Sequence, residues 1–351
     1  MKFFFLFYFM CVTLTFSSSI SPKDSQFISF SGRWLVVDEQ AKTAAPGAGF
    51  QVSFKGSSIE VELEGEARWY VEIDGIKSSL YTHKKEKHLL AKNLDSNTHT
   101  LRLFKKTESL DYFVALHSIS TSHDGHFIKW TSKSPRRIEF IGDSFTVGYG
   151  NEALSPTDGD VFSKTNTTKS YAFLLGESLK ADIQINAYSG RGLVQNYANH
   201  DPDWNIRSLY MHTLPSQALL KLHSPSWDFN SWHPQVIVIF VGINDFQGDF
   251  NHTPDSTFDD AYIELLDFLR QQHPGVQFLV LSTRVYPQDL LTPRVQNVLK
   301  MQKAKGFKDL THMVLQTENT ALDGHPNLFS HQNIANQIRP TLARLGKWLS
   351  R

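Results

Sequence analysis

The sequence predicts a β domain followed by an α/β domain. The first is a jelly-roll β-sandwich with its linker, over residues 20–134. The second, over residues 135–351, is a parallel sheet with helices on both faces. Three observations predict this. The chain has 351 residues, which suits about two ordinary domains. From Gln26 to about Lys133 its apolar residues recur with period two, and from Arg136 strand-like runs alternate with helical stripes.

The first residues read as an export segment. Lys2 is followed by an apolar run from Phe3 to Phe16 and then by Ser17-Ser18-Ser19, which are small residues suited to cleavage. The run is shorter than the roughly 20 residues that cross a bilayer. The boundary is placed after residue 19, and a secreted or periplasmic protein with no membrane partner after cleavage is expected. Cys11, the one cysteine of the chain, lies inside this segment. The mature chain then has no thiol nucleophile, thiolate metal site or disulfide. Lysine plus arginine and aspartate plus glutamate each total 35, so no basic excess points to nucleic acid.

Phe50-Gln51-Val52-Ser53-Phe54, Ile59-Glu60-Val61-Glu62-Leu63, Trp69-Tyr70-Val71-Glu72-Ile73 and the run from Thr98 to Phe104 alternate as half-buried strands do. Asp74-Gly75 is a hairpin signal. Lys84-Lys85-Glu86-Lys87 reads as a solvated turn, and Thr131 to Pro135 as the linker.

In the second region strands are expected at Arg137 to Ile141, Asp182 to Ala187, Val236 to Val241, Val276 to Leu281 and His312 to Leu315. Phe258, Ala261, Tyr262, Leu265, Leu266 and Leu269 form a helical stripe. Thr292-Pro293 reads as an N-cap and a first helical proline. A last helix is expected from about Asn333 to Leu349, with a kink at Pro340. Alternating units of this kind form a parallel sheet that binds ligands beyond the carboxyl ends of its strands.

Chemistry gathers at those ends. The first strand runs into Gly142-Asp143-Ser144, where Gly142 supplies backbone freedom and Ser144 meets a helix start that favours negative charge. The second runs into Tyr188-Ser189-Gly190-Arg191-Gly192, and the third into Gly242-Ile243-Asn244-Asp245. Asp323-Gly324-His325-Pro326 lies near the C-terminus. Ser144 is the candidate nucleophile and His325 its base. The Ser144 and Gly190 N–H groups and the Asn244 amide are candidate donors to an oxyanion. Taken singly, Gly190 suits a turn, Asn244-Asp245 a helix cap and His325 an exposed loop. Their joint order favours the functional reading. Asp143 and Asp245 read as loop-holding residues. No pair of the 15 histidines has ligand spacing with carboxylate support.

These four blocks resemble those of the SGNH (GDSL-type) hydrolases, whose catalytic domain is flavodoxin-like. The likeness is closer still to carbohydrate esterase family two, of acetyl xylan esterase type. That family joins an N-terminal jelly roll to a C-terminal SGNH domain. Arg136 to Ser144, Gly148-Tyr149-Gly150-Asn151-Glu152, Asn166 to Tyr171, Ser189 to Gly192 and, in the first domain, Lys105-Lys106-Thr107-Glu108 carry the resemblance. It covers nearly the whole mature chain. It implies a serine esterase that removes acetyl groups from plant polysaccharides such as xylan and glucomannan through an acetyl-serine, with no metal or organic cofactor. The implied partner is an acetylated oligo- or polysaccharide.

Two departures from the pattern stand out. General SGNH enzymes carry an orienting aspartate three residues before the histidine, where this chain has Leu322. Asp323, two residues before, is the expected third catalytic residue; the alternative is a backbone carbonyl and a Ser-His dyad. Relatives often place an aromatic residue just before the histidine, and here that residue is Gly324. Trp204, Tyr149 or Trp232 are left as sugar platforms or as core. The rival functions are a lipase- or thioesterase-like SGNH esterase, which needs an apolar acyl pocket, and a catalytically inactive glycan-binding protein.

Overall fold

The structure, a computed structural model, describes residues 18–130, 134–216, 224–248 and 252–348. Most of the expected export segment, and Thr131 to Lys133 of the expected linker, lie outside these residues.

The alternating runs of the first region form two antiparallel sheets. One contains β1 (Ser18–Ile20), β3 (Leu35–Val37), β4 (Gln40–Thr43), β6 (Ser58–Glu64), β9 (Glu86–Lys92) and β11 (Val114–Thr121), with the order β3-β4-β11-β6-β9 and β1 beside β11. The other contains β2 (Ile28–Ser31), β5 (Gly49–Lys55), β7 (Ala67–Ile73), β8 (Ile76–Thr82), β10 (His99–Lys105) and β12 (His126–Ile128), with the order β12-β5-β10-β7-β8 and β2 beside β5. Inward residues such as Phe50, Val52, Phe54, Ile59, Val61 and Leu63 are fully buried between the sheets. The buried Trp69 indole satisfies its N–H at Thr82 Oγ1, 3.0 Å away. At the Asp74-Gly75 turn both residues have positive φ, 51° and 84°. That pair matches the twist of a two-residue hairpin. The expected boundary after Ser19 falls inside β1, whose Ser18 and Ser19 pair with Thr121 and Ser120.

The second region forms a five-stranded parallel sheet from β13 (Arg137–Gly142), β14 (Asp182–Ala187), β15 (Val236–Phe240), β16 (Gln277–Thr283) and β17 (Leu310–Leu315), in the order β14-β13-β15-β16-β17. Every residue of β15 is buried, as the continuous apolar run requires of a strand covered on both faces. The helix Tyr171–Leu179 packs on Leu328–Leu345, and Asp255–Gln272 packs on Leu291–Ala304. After β13 the chain crosses to β14 on one side of it, and after β15 it crosses to β16 on the other. A crevice therefore opens beyond the carboxyl ends of β13 and β15, at the switch point of a flavodoxin-like order.

Two helix starts differ from expectation. Thr292 lies inside the helix Leu291–Ala304, whose N-cap position is Leu290, and the Thr292 N–H is accepted by Asp289 Oδ1 at 3.1 Å. Pro293 still lies in the first turn, where N–H groups lack helical partners. The last helix starts at Leu328 because Asn327 accepts the Ser330 N–H at 2.9 Å, and it runs through Pro340 to Leu345. Pro340 is exposed, so the carbonyl it leaves without a partner can be hydrated.

The domains share a buried polar joint. The Arg33 guanidinium pairs with Glu139 of β13 at 3.3 Å, donates to the Tyr210 carbonyl at 2.5 Å and lies over the Tyr210 ring. Arg33 and Glu139 are 2% and 1% exposed, so each charge depends on the other for compensation. A second seam lies nearer the crevice. There the Lys106 carbonyl accepts the Thr167 N–H at 2.8 Å, and Phe104 meets Phe173 edge to face.

Candidate active site

Ile138, Phe140 and Ile141 are fully buried and anchor β13. Gly142 ends it for a reason other than the backbone freedom expected: it is not among the residues with positive φ. A Cβ there would lie 2.1 Å from Thr146 Oγ1, so the turn needs glycine for space. Asp143 then caps the short helix Ser144–Val147 by accepting the Phe145 N–H at 3.0 Å. This turn presents Ser144 at the crevice, 6% exposed.

His325 reaches Ser144 from across the sheet. Its Nε2 is 2.9 Å from Ser144 Oγ, and its Nδ1 is 3.0 Å from the Leu322 carbonyl oxygen. A carbonyl only accepts, so Nδ1 carries the proton and Nε2 keeps the lone pair that faces the hydroxyl. Burial lowers the His325 pKa, with the Leu322 carbonyl and Asp323 opposing. The imidazole is therefore neutral at neutral pH.

Asp323 does not take the expected orienting role. It adopts φ 51°, and its Oδ2 accepts the Tyr149 hydroxyl at 2.8 Å. With only one residue between them, a carboxylate turned outward in this conformation leaves the Leu322 carbonyl as the acceptor for Nδ1. Of the three suggested aromatic residues, Tyr149 lines the crevice, its ring 4.4 Å from that of His325. Trp232 donates to Asp182 Oδ2, and Trp204 packs on the core; neither lines the crevice.

Gly190 and Asn244 come to the same place. The Arg191 N–H bonds to the Tyr188 carbonyl at 3.2 Å, and Gly190 has φ 74°. That is the pattern of a type II turn, which asks for glycine at its third position. Asn244 follows β15 in the short helix Ile243–Phe246, and its Nδ2 donates to the Arg191 carbonyl at 3.1 Å. Asp245 accepts the N–H groups of Leu193, Val194 and Gln195 at 2.7 to 2.9 Å and the Thr253 hydroxyl at 3.0 Å. The loop-holding readings of Asp143 and Asp245 match these bonds. Burial pushes the Asp143 pKa up to about 8, with the charges of Asp245 and Glu108 adding to it and the Phe145 N–H opposing.

The crevice is a cavity of about 410 Å³ onto which Ser144, Gly190, Asn244 and His325 all open. Among the described residues no group of three or more His, Cys, Asp or Glu could hold a metal ion. None of the described helices is long and apolar enough to cross a membrane. The sequence reading missed two contacts. The Tyr149 ring lies tilted against that of His325, and Glu108 accepts the Ser189 N–H from the other domain. The block of residues 105–108 was visible as a motif, but nothing in its spacing says where it reaches.

Residues 30–130 match the family model described as Carbohydrate esterase 2 N-terminal, and residues 140–314 that of the GDSL-like Lipase/Acylhydrolase family. An acetylxylan esterase / glucomannan deacetylase of Cellvibrio japonicus is 30% identical over 317 residues, which is 84% of this chain and 82% of that protein. The chain belongs to carbohydrate esterase family two. As a member of that family it is a carboxylic ester hydrolase. The family-two esterase from Clostridium thermocellum, solved in complex with cellohexaose, superposes with a TM-score of 0.84 at 26% identity, covering 92% of this chain and 100% of that one. A Cellvibrio japonicus family-two structure, 20% identical over 95% of this chain and 99% of its own, has the same fold at a TM-score of 0.84.

Proposed function

We propose that this protein is an exported O-acetyl esterase that removes acetyl groups from plant-type polysaccharides such as xylan or glucomannan through an acetyl-serine. The 2.9 Å contact between Ser144 Oγ and His325 Nε2, at the mouth of a cavity shared with Gly190 and Asn244, carries the reading. The similarity to an acetylxylan esterase / glucomannan deacetylase supports the substrate class. Lys2 and the apolar run after it support export.

The mechanism follows from the positions. His325 Nε2 takes the Ser144 proton as Oγ attacks the acetyl carbonyl. The carbonyl oxygen gains negative charge and is held by the Ser144 N–H, the Gly190 N–H and the Asn244 amide. One such donor contributes about 3 kcal/mol. The protonated imidazole, braced by the Leu322 carbonyl, passes its proton to the departing sugar oxygen. Water then attacks the acetyl-serine with His325 as base, and acetate leaves as Ser144 regains its proton. Asp323 stays outside this relay.

Phe145, Ile243 and two tyrosine rings supply the apolar part of the cavity wall, and its other lining groups are polar or glycine. That wall favours a short acyl group on a sugar over a long acyl chain. The test is acetate release from acetylated xylan and acetylated glucomannan, with NMR locating the acetyl lost, beside aryl acetate and aryl octanoate. Faster octanoate turnover or no acetate release contradicts the reading.

A further inference from the structure

Glu108 belongs to the N-terminal domain, three residues beyond the end of β10. Its Oε1 accepts the Ser189 backbone N–H at 2.5 Å. Burial pushes the Glu108 pKa up, with the bonds to Ser189 and the charges of Lys105 and Arg191 opposing. Lys105 is fully buried and donates to the Ala44 carbonyl at 3.0 Å and to Ser109 Oγ at 2.8 Å. The segment that carries Glu108 is therefore held from within its own domain.

The bonded group is next to the one that matters. Gly190 N–H belongs to the peptide between Ser189 and Gly190. A Cβ built on Gly190 meets nothing within 4 Å, so beyond the turn bond from the Arg191 N–H to the Tyr188 carbonyl no packing on that side fixes the peptide. Its neighbours are pinned instead. Glu108 holds the preceding peptide at the Ser189 N–H, and the Tyr197 N–H holds the following one at the Gly190 carbonyl, 2.9 Å away. Asp245 fixes the loop further on, at Leu193 to Gln195. The entry side is held by the jelly roll.

We propose that Glu108 is a positioning residue for ester hydrolysis: through the Ser189 N–H it aims the Gly190 N–H at the oxyanion, so the N-terminal domain completes the active site of the C-terminal one. This rests on the acetyl-serine mechanism above. A donor that is misaimed in the transition state costs turnover more than substrate binding.

The test uses the full chain with 4-nitrophenyl acetate and compares Glu108→Ala, Glu108→Gln and Glu108→Asp. Glu108→Ala is expected to lower kcat by about tenfold or more, part of the hundredfold or greater loss that follows removal of a whole donor, with KM little changed. Glu108→Gln keeps an acceptor oxygen at the same reach and is expected to restore kcat to within about threefold of the parent. Should Glu108→Ala fail to fold, Glu108→Asp withdraws the carboxylate by one methylene and is expected to lower kcat in the folded protein. An unchanged kcat in a folded Ala or Asp variant overturns the proposal, as does a Gln variant as slow as Ala. A parent protein that neither releases acetate nor labels at Ser144 would instead overturn the mechanism beneath it.

Discussion

His325 Nδ1 lies 3.0 Å from the carbonyl oxygen of Leu322, while the carboxylate of Asp323, the next residue, bonds to Tyr149. The histidine is oriented by main chain. Asp323→Asn is therefore expected to keep kcat within about tenfold of the parent. A triad aspartate changed to asparagine costs roughly ten-thousandfold, because the wrong tautomer is then held. Steady-state rates on an aryl acetate measure the difference, and a thousandfold loss would restore Asp323 to the relay.

The pH dependence follows from the direction of the His325 shift. Burial holds its pKa below the ordinary imidazole value of 6.5. The neutral form is the base, so kcat/KM is expected to fall on the acid side with a midpoint below 6.5. Rates taken after return to neutral pH separate this titration from acid unfolding. An acid limb centred above 6.5 would contradict the buried, neutral imidazole.

Asn244 donates to the Arg191 carbonyl in the unliganded site. Its proposed role is to donate to the oxyanion. Asn244→Ala is expected to lower kcat about a hundredfold or more, with a smaller effect on KM. If kcat holds while thermal stability falls, Asn244 only braces the loop.

Much of this was legible in the sequence, for a physical reason. Strand periodicity and turn chemistry are local. They placed the Asp74-Gly75 hairpin, the buried β15 and the stripe from Phe258 to Leu269. Ser144, Gly190 and Asn244 were legible because each follows a strand of one parallel sheet, and such ends converge. The rest depends on side-chain direction. Whether Asp323 or the Leu322 carbonyl meets His325 turns on one residue with φ 51°. The reach of Glu108 to Ser189 is likewise set by tertiary contact. Gly142 was assigned for the wrong reason, because spacing does not reveal a close approach by Thr146.

Arg33 and Glu139 join the domains as a buried pair. Arg33→Met leaves the Glu139 charge uncompensated and is expected to cost about 3 kcal/mol, seen as a lower denaturation midpoint. Adding Glu139→Gln is expected to recover part of that loss, since the stranded charge is gone. A double variant whose loss equals the sum of the losses from Arg33→Met alone and Glu139→Gln alone would mean that the pair is not energetically coupled.

The central claim is that Ser144 becomes covalently acylated with His325 as its base. Incubation with a fluorophosphonate, then intact-mass and peptide mapping, tests it most directly. The account predicts one adduct, on the peptide that contains Ser144, with loss of acetyl-ester hydrolysis in step with labelling and neither labelling nor turnover in Ser144→Ala. Labelling at another residue, or substantial acetate release by the folded Ser144→Ala protein, would contradict it.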